Sequence, residues 1–318
     1  MENKYVLAGE RFLKRCVFGG LAHSYDVITC KYVKPYPEVT GYLIKYFCDN
    51  YDKLPFNIVY AGNKLVRIQD KKTGGYASFG NKNILYAFDT SQILIGLAAL
   101  YHKTGKEKYK IAAVRGGDFL LAMQMENGAI APIYDKMKEE IIIDKNTYSI
   151  WNGPWSGLMC KLTEGFQTLY ELTGDNKYLV AKEKTANFYV QAEYIESTHP
   201  LGYWLEGLWE GGKLEKVDEV LNNKVIPRIR ENGYIPYKEN LGYAYVSGVI
   251  QLGIILFKMG YIEEAVRIRD YGRSVQEKFR SGGLFHYADE NGKLDGTVHS
   301  EINSWGTKYY CQLERMME

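Results

Sequence analysis

Hydrophobic positions recur along the chain with the three-to-four-residue spacing of amphipathic helices. Glycine-containing loops with a short β-prone stretch, such as GGYASFG from Gly74 and NGYIPY from Asn232, separate several of these segments. The pattern predicts twelve helices, at residues 4–18, 38–51, 56–71, 88–103, 107–125, 156–173, 176–195, 200–210, 213–231, 244–258, 261–280 and 302–317. It therefore predicts an all-α chain with short β-prone loops.

Two segments of the chain align with one another without gaps. LYHKTGKEKYKIA begins at Leu100 and LYELTGDNKYLVA at Leu169, and ILFKMGYIEEAVRI from Ile255 is a weaker copy. The Thr-Gly pair is typical of the turn in an αα-hairpin, so the repeat predicts an array of six hairpins. An open solenoid would satisfy the same pattern. The segments ILIGLAALY and VIQLGIIL have the small residues and few charges that a closed inner ring needs, so we favour an (α/α)6 toroid forming a single domain over residues 1–318, with its β-prone loops at one mouth.

The composition narrows the classes of partner. The 318 residues include 40 basic and 38 acidic side chains, a net charge of +2, and these are interspersed, so neither nucleic acid nor an anionic membrane surface is expected as a partner. No apolar run is long enough for a membrane span, and the N-terminus lacks a signal-peptide core, so we expect a cytoplasmic protein without membrane insertion. The 28 tyrosines suit the binding of sugar rings. The sequence leaves the oligomeric state open.

Motifs for several other chemistries are missing from the sequence. The five cysteines are scattered and form no Cys-x-x-Cys pair, which argues against disulfides and a zinc site. The sequence has neither of the glycine-rich nucleotide-binding motifs, nor His-Glu-x-x-His, nor Gly-x-Ser-x-Gly. We therefore expect no cofactor and no metal.

The segment THPLGYWLEGLWEGG, residues 198–212, predicts a helix with two distinct faces. One face carries Leu201, Leu205 and Leu208, and the opposite face carries His199, Tyr203, Glu206 and Glu210. Glu206 and Glu210 are four residues apart and should repel, which raises the pKa of one of them toward that of a general acid. Tyr203 could relay a proton, and His199 could act as a base or, when charged, hold a substrate carboxylate. The alternative is that His199 caps the helix, Tyr203 packs and Glu210 is solvated.

Further candidates lie at the predicted helix starts, which gather at one mouth of a toroid. Glu38 and Asp89 are candidate catalytic carboxylates, although each could instead stabilise a helix N-terminus. Near the last helix, HSEINSW offers His299 and Glu301, the latter as a further candidate catalytic acid. For His286 we expect a surface role. The candidate substrate-binding residues are Tyr36, Gln92, Trp155, Trp209, Glu210, Trp305 and Lys308.

Four segments in order, YPEVTGYLI, DTSQILIGLAALYHKTG, HPLGYWLEGLWEGG and NSWGTKYY, resemble the motifs of the six-hairpin glycosidase-like (α/α)6 toroid superfamily. The resemblance covers nearly the whole chain and is greatest to members associated with polysaccharide biosynthesis. Proteins with this toroid include unsaturated glucuronyl hydrolases, N-acylglucosamine 2-epimerases and the helical domain of glucuronyl C5-epimerases. The resemblance implies carbohydrate chemistry without choosing a reaction.

Three functions follow from these candidates. The first is a glycoside hydrolase acting on a poly- or oligosaccharide, with two of Glu38, Asp89, Glu206 and Glu301 as acid and base; for inversion these would lie about 6.5–9.5 Å apart. The second is a uronate or aminosugar epimerase or lyase, in which Tyr203 and Glu206, or His199, remove a proton next to a carboxylate or carbonyl. The third is a non-catalytic glycan-binding or scaffold protein of polysaccharide biosynthesis.

Overall fold

The computed structural model describes residues 3–78, 80–143, 153–294 and 300–318. Within these ranges the chain forms twelve α-helices: α1 Lys4–Cys16, α2 Pro37–Asn50, α3 Phe56–Ile68, α4 Ala87–Thr104, α5 Glu107–Met123, α6 Leu162–Thr173, α7 Asn176–Tyr189, α8 Thr198–Glu210, α9 Leu214–Val220, α10 Val246–Lys258, α11 Ile262–Glu277 and α12 Ser304–Met316. All twelve predicted helices are present. The largest difference is at α9, which ends at Val220 and is followed by a π turn over Leu221–Val225 and a 3-10 turn over Ile226–Arg228. Smaller ones are at α7, which ends at Tyr189, and at α6, which a 3-10 turn over Gly157–Lys161 precedes.

The helices form two concentric rings. In the inner ring α2, α4, α6, α8, α10 and α12 each contact the next, and α12 contacts α2, so the ring is closed. In the outer ring α3, α5, α7, α9 and α11 pack on the inner helices that precede them, and α1 packs on α12. The sixth hairpin is therefore made from the two ends of the chain. The predicted (α/α)6 toroid is confirmed, and the contact of α12 with α2 excludes an open solenoid.

Glycines let the inner helices approach one another closely. A Cβ on Gly41 of α2 would lie 2.3 Å from the carbonyl oxygen of Gln92, and one on Gly96 of α4 would lie 2.5 Å from that of Gly41. Neither distance is sterically possible, so only glycine permits this packing. The small residues predicted to mark inner helices thus have a direct steric role.

Ten short strands, all paired in antiparallel fashion, were found in the described residues: β1 Val17–Phe18, β2 Leu21–Asp26, β3 Lys31–Tyr36, β4 Ile84–Tyr86, β5 Ile133–Asp135, β6 Glu140–Ile142, β7 Ala244–Tyr245, β8 Leu284–Phe285, β9 Tyr287–Ala288 and β10 Glu301–Asn303. Strands β3, β4, β7 and β10 end at the residue before α2, α4, α10 and α12. The sheets therefore lie at the mouth where inner helices begin. Across the described residues, no helix has the length and apolar character needed to cross a bilayer.

A threonine fixes the first turn of three inner helices. In each case the hydroxyl donates a hydrogen bond to the carbonyl four residues earlier and accepts one from a backbone N–H of a neighbouring loop or strand, at 2.7–3.0 Å. The three threonines, each with its acceptor and then its donor, are Thr40 (Tyr36, Ala22), Thr90 (Tyr86, Tyr76) and Thr307 (Asn303, Leu284). These bonds tie the first turn of each helix to the strand that precedes it and to a neighbouring strand or loop. They also hold the first-turn side chains of each helix at the mouth.

Candidate active site

A cavity of about 520 Å³ opens at the mouth of the toroid, and we call it the mouth cavity. Its walls include residues at or near the start of each of the six inner helices, which the sequence predicted to gather at one mouth. Its lining includes the acids Glu38 and Asp89, the histidines His199 and His286, and the aromatic residues Tyr36, Tyr86, Phe88, Tyr203, Tyr237, Tyr245, Tyr287 and Trp305. Acids surrounded by aromatic rings are the lining that a saccharide pocket requires.

Glu38 and Asp89 are two acids in the first turns of neighbouring inner helices, α2 and α4. Asp89 is buried and Glu38 half-buried, and each has one carboxylate oxygen, Oε2 of Glu38 and Oδ2 of Asp89, that is buried without a hydrogen-bond partner among the described residues. A buried, unpaired carboxylate is costly when ionised, and protonation relieves that cost. The geometry thus favours protonated forms of both groups.

The pKa values of both acids are raised. Burial raises the pKa of Asp89 to about 7. Burial, followed by repulsion from Asp89, raises the pKa of Glu38 well above its usual value. Because the two groups repel one another when both are ionised, one of them keeps its proton while the other is charged. The pair can therefore consist of one carboxylic acid and one carboxylate, the combination that acid–base catalysis uses.

The raised pKa of Asp89 predicts how stability depends on pH. Above about pH 4 the unfolded chain has lost the proton of Asp89, whereas the folded chain still binds it. The contribution of this proton to the free energy of unfolding is therefore complete below about pH 4 and disappears as the pH rises through 7. The variant Asp89→Asn lacks the group. Between pH 5 and 8 its free energy of unfolding should rise by about 2 kcal/mol relative to that of the parent chain, measured by urea unfolding.

Asp70 provides a control of opposite sign for this experiment. Hydrogen bonds and the ion pair with Lys136 lower the pKa of Asp70 to about 2, against the effect of its burial. Its contribution to stability is present above about pH 4 and is lost as the pH falls toward 2, so Asp70→Asn should be most destabilising at neutral pH. A difference between Asp89→Asn and the parent that stays constant from pH 5 to pH 8 would contradict the burial of an ionisable Asp89.

His199 and His286 lie on either side of Tyr245 in the mouth cavity. Ring centroids are 4.7 Å apart between His199 and Tyr245, and 4.6 Å between Tyr245 and His286. Burial lowers the pKa of His199 to about 3, although its bond to Gln251 acts in the opposite direction. A neutral imidazole suits a proton acceptor better than a cationic site for a carboxylate. The surface role expected for His286 is wrong, because the pairing of β8 with β10 and of β9 with β7 turns this loop inward.

The polar face of α8 is divided between two cavities. His199 and Tyr203 line the mouth cavity, whereas Glu206 and Glu210 line a small cavity further along the toroid axis, which we call the lower cavity. The hydroxyl of Tyr203 lies 3.2 Å from that of Tyr42, which lines the lower cavity. We expected the polar face of α8, with His199, Tyr203, Glu206 and Glu210, to line a single cavity. This is wrong, because a helix of 13 residues is long enough to reach both cavities.

The lower cavity has a volume of about 70 Å³ and is lined mainly by charged and amide side chains: Lys45, Gln92, Lys161, Glu164, Glu206, Glu210, Lys258, Lys308 and Gln312. Lys161 Nζ lies 2.9 Å from Oε2 of Glu206 and also pairs with Glu164. Glu206 is thus a partner of a buried lysine, not a neighbour of Glu38 and Asp89. Burial raises the pKa of Glu210 and lowers that of Lys308 to about 8.

Other sequence candidates lie apart from the mouth cavity. Gln92, a candidate substrate-binding residue, lines the lower cavity, where its Nε2 has no partner among the described residues. Glu301 is buried in β10 and pairs with Lys34 at 3.1 Å. The ring of Trp209 packs against Lys258. His299 lies outside the described residues.

Trp155 lies in a third, open cleft of about 1060 Å³, which we call the outer cleft. The outer cleft adjoins the mouth cavity, because Gly157 and Lys238 line the cleft while the adjacent Leu158 and Tyr237 line the cavity. The Trp155 side chain is 39% exposed and packs 5.9 Å from Phe188. Trp155 therefore stays a candidate substrate-binding residue, now placed in the outer cleft.

Sequence reasoning missed Gln251, which forms hydrogen bonds to both His199 and Glu206. It also missed the tyrosines before inner helices, Tyr86 and Tyr245. A signal for Tyr86 was available. In Tyr36-Pro-Glu-Val-Thr40 and Tyr86-Ala-Phe-Asp-Thr90 a tyrosine precedes the helix-fixing threonine by four residues, and the two segments align on that spacing.

Comparisons with solved structures establish the fold. A cellobiose 2-epimerase from Bacillus thermoamylovorans is similar over 99% of both chains, with a TM-score of 0.75 and 12% sequence identity. A D-mannose isomerase matches over 98% of this chain and 96% of its own, with a TM-score of 0.70 and 11% identity. A protein described as a novel alpha-amylase from Clostridium perfringens matches over the whole of both chains, with a TM-score of 0.68 and 12% identity. The chain has the (α/α)6 toroid fold of six-hairpin glycosidase-like proteins.

Sequence comparison gives less information. A family model described as pectic acid lyase matches residues 67–149, about a quarter of the chain, a range that includes Asp89 but not Glu38. No curated protein matches the chain in sequence.

Proposed function

We propose that this protein is a carbohydrate-active enzyme and that it hydrolyses glycosidic bonds of a poly- or oligosaccharide in the mouth cavity. The observation that carries the proposal is the acid pair: Glu38 and Asp89, on neighbouring helices, line one aromatic cavity, and the pKa of each is raised. The fold is consistent with it, since proteins described as an alpha-amylase and as sugar epimerases have the same toroid.

Repulsion between the two acids suggests a role for each. Glu38, whose pKa burial and the charge of Asp89 raise, donates its proton to the glycosidic oxygen, so that the bond from this oxygen to the anomeric carbon breaks. Asp89, as a carboxylate, accepts a proton from the water molecule whose oxygen bonds to the anomeric carbon. The proton that Glu38 gives up is replaced from solvent, and Asp89 releases the one that it gained. Asp89 titrates near pH 7, so the rate should increase as the pH rises through that value.

The outer cleft supports a substrate longer than one sugar. It continues from the mouth cavity, and together the two volumes exceed what a single ring fills. Trp155, an exposed aromatic residue of the cleft, would stack on a unit one or more rings away from the bond that is cleaved.

Removal of this platform should affect long substrates selectively. We expect Trp155→Ala to raise KM for an oligosaccharide of four or more units about tenfold, while a disaccharide is little affected, because one lost stacking contact is worth about 1 kcal/mol. Steady-state kinetics on a series of chain lengths measures this. Tyr60→Ala is the matched control, since Tyr60 is also 39% exposed but lies on α3. If Trp155→Ala raised KM equally for substrates of every chain length, the proposal that the substrate extends from the mouth cavity into the outer cleft would be contradicted.

A second candidate function, sugar epimerisation or proton abstraction in a lyase reaction, is supported by the two histidines. His199 is neutral and lies with His286 beside the acid pair, so the cavity also holds imidazoles that could exchange a proton with a sugar carbon.

Turnover in D2O separates these reactions. A hydrolase produces new reducing ends and leaves the carbon-bound hydrogens in place. An epimerase incorporates deuterium at a sugar carbon without cleavage, and a lyase produces an unsaturated product. Mass spectrometry of products from a panel of neutral, amino and uronate oligosaccharides reads all three. Deuterium at carbon without new reducing ends would overturn the hydrolase proposal. If a sugar binds but no product forms with any substrate, the protein is a non-catalytic binding protein.

A further inference from the structure

A chain of buried side chains connects the mouth cavity to the lower cavity. His199 Nδ1 bonds to Gln251 Oε1, and Gln251 Nε2 donates to Glu206 Oε2 at 3.3 Å. The same Glu206 oxygen lies 2.9 Å from Lys161 Nζ. Gln251 is fully buried, and His199 and Glu206 are buried as well.

Charge determines the direction of every bond in this chain. Glu206 forms an ion pair with Lys161, so it is a carboxylate and can only accept hydrogen bonds. Gln251 must therefore present its NH2 group to Glu206, which places its carbonyl oxygen against His199. A carbonyl oxygen can only accept, so Nδ1 of His199 must carry the proton.

The neutral ring then has its proton on Nδ1 and a lone pair on Nε2. Free histidine prefers the opposite tautomer, with the proton on Nε2, so the arrangement in this protein is imposed by its neighbours. Tyr203 and Tyr245 hold the ring in place, with centroids 4.5 Å and 4.7 Å from that of His199.

The local sequence makes room for this chain. Gly202 lies on α8 between His199 and Glu206, and a Cβ there would lie 2.9 Å from the Cβ of Gln251 on α10. Any larger residue at 202 would displace Gln251 from the position in which it bonds to both partners.

We propose that Glu206, acting through Gln251, fixes His199 in the Nδ1-protonated tautomer and thereby makes Nε2 the nitrogen of the ring that can accept a proton or hydrogen bond. Glu206 and Gln251 are then positioning residues. The tautomer itself rests only on the geometry, whereas its part in turnover rests on the proposed function.

Long-range 1H–15N correlation spectra of the 15N-histidine-labelled full chain test the tautomer directly. The five histidines are few enough to assign with a His199→Asn sample. We expect the parent chain to show a protonated-type shift at Nδ1 and an unprotonated-type shift at Nε2. Gln251→Met should move the ring to a mixture or to the Nε2-protonated form. Glu206→Met should also change the tautomer, because without the carboxylate Gln251 can turn its NH2 group toward His199. The change should be smaller than in Gln251→Met, since Gln251 can also keep its carbonyl oxygen against His199.

Two further variants keep the test decisive if Gln251→Met does not fold. Gly202→Ala should also release the tautomer, since it moves Gln251 without altering any polar group. Gln312→Met is the matched control: Gln312 lines the lower cavity but bonds to Lys308, so the tautomer of His199 should not change. A proton on Nε2 in the parent chain, or an unchanged tautomer in all of the folded variants, would overturn the proposal.

Kinetics on a cleaved saccharide then test the positioning role. We expect Gln251→Met to lower kcat about 10- to 100-fold with little change in KM, because the sugar still binds but meets a misoriented imidazole. Unchanged kcat together with an altered tautomer would overturn the positioning role. If no saccharide is turned over by the parent chain, the proposed function fails, and the spectra still decide the tautomer.

Discussion

Asp89→Asn is expected to reduce kcat/KM on an oligosaccharide by about 10³-fold while leaving its binding nearly unchanged. Asparagine has a similar shape but cannot accept a proton from water. It also removes a charge next to Glu38, whose raised pKa depends in part on that charge. Steady-state kinetics gives the loss of rate, and isothermal titration calorimetry of the variant with intact substrate gives the affinity.

Asp70→Asn is the control for this variant, because Asp70 is an aspartate that bonds within its own loop and lies outside the mouth cavity. Its activity per folded molecule should stay within about threefold of that of the parent chain, as for a change away from the site. Comparable losses in the two variants would show that the effect of Asp89→Asn is a general loss of folding. A fully active Asp89→Asn would remove Asp89 from the mechanism.

Glu38→Gln is expected to have an effect of similar size that depends on the leaving group. Cleavage of a natural sugar–sugar bond should slow by about 10²–10⁴-fold, because the departing oxygen then receives no proton. A glycoside with a nitrophenol leaving group needs little protonation, so its cleavage should slow far less. Kinetics of both substrates with one preparation of the variant measures the contrast.

The two substrates act as controls for one another in this experiment, because any loss of folded protein lowers both rates equally. An equal loss on the two substrates would contradict the role of Glu38 as the general acid. A selective loss in Asp89→Asn, with none in Glu38→Gln, would exchange the roles of the two residues.

The ring of hairpins was predictable from sequence because it depends on local signals. Hydrophobic spacing located the helices, Thr-Gly turns marked the hairpins, and small residues such as Gly96 marked the inner ring. Each of these features acts within one or two turns of helix. The closure between α12 and α2 did not follow from the repeat alone, which an open solenoid also satisfies; the small residues and few charges of the inner segments favoured it.

The depth of each side chain along the toroid axis was not predictable in the same way. Periodicity placed Glu206 on the same face as His199, but it carries no information on what lies opposite that face. Tyr42 of α2, which bonds to Tyr203, and the buried Lys161 just before α6 come from other parts of the ring, and Lys161 pairs with Glu206 in the lower cavity. Asp89 and Glu38, in contrast, lie in first turns, and every inner helix begins at the mouth.

His286 and Gln251 show the same limit. His286 reaches the cavity through strand pairings between segments far apart in sequence. Gln251 sits within an apolar segment, where a single amide has no pattern of its own. Its role becomes visible only when its two partners on α8 are known: His199 at its amide oxygen and Glu206 at its amide nitrogen.

The most direct test of the account is a crystal structure of the Asp89→Asn variant with an intact oligosaccharide. We predict a sugar–sugar linkage in the mouth cavity, with its glycosidic oxygen within about 3 Å of the Glu38 carboxyl group and a further unit against Trp155. A saccharide bound only in the outer cleft, or one that leaves Glu38 and residue 89 without contact to any sugar atom, would contradict the assignment of this acid pair to catalysis.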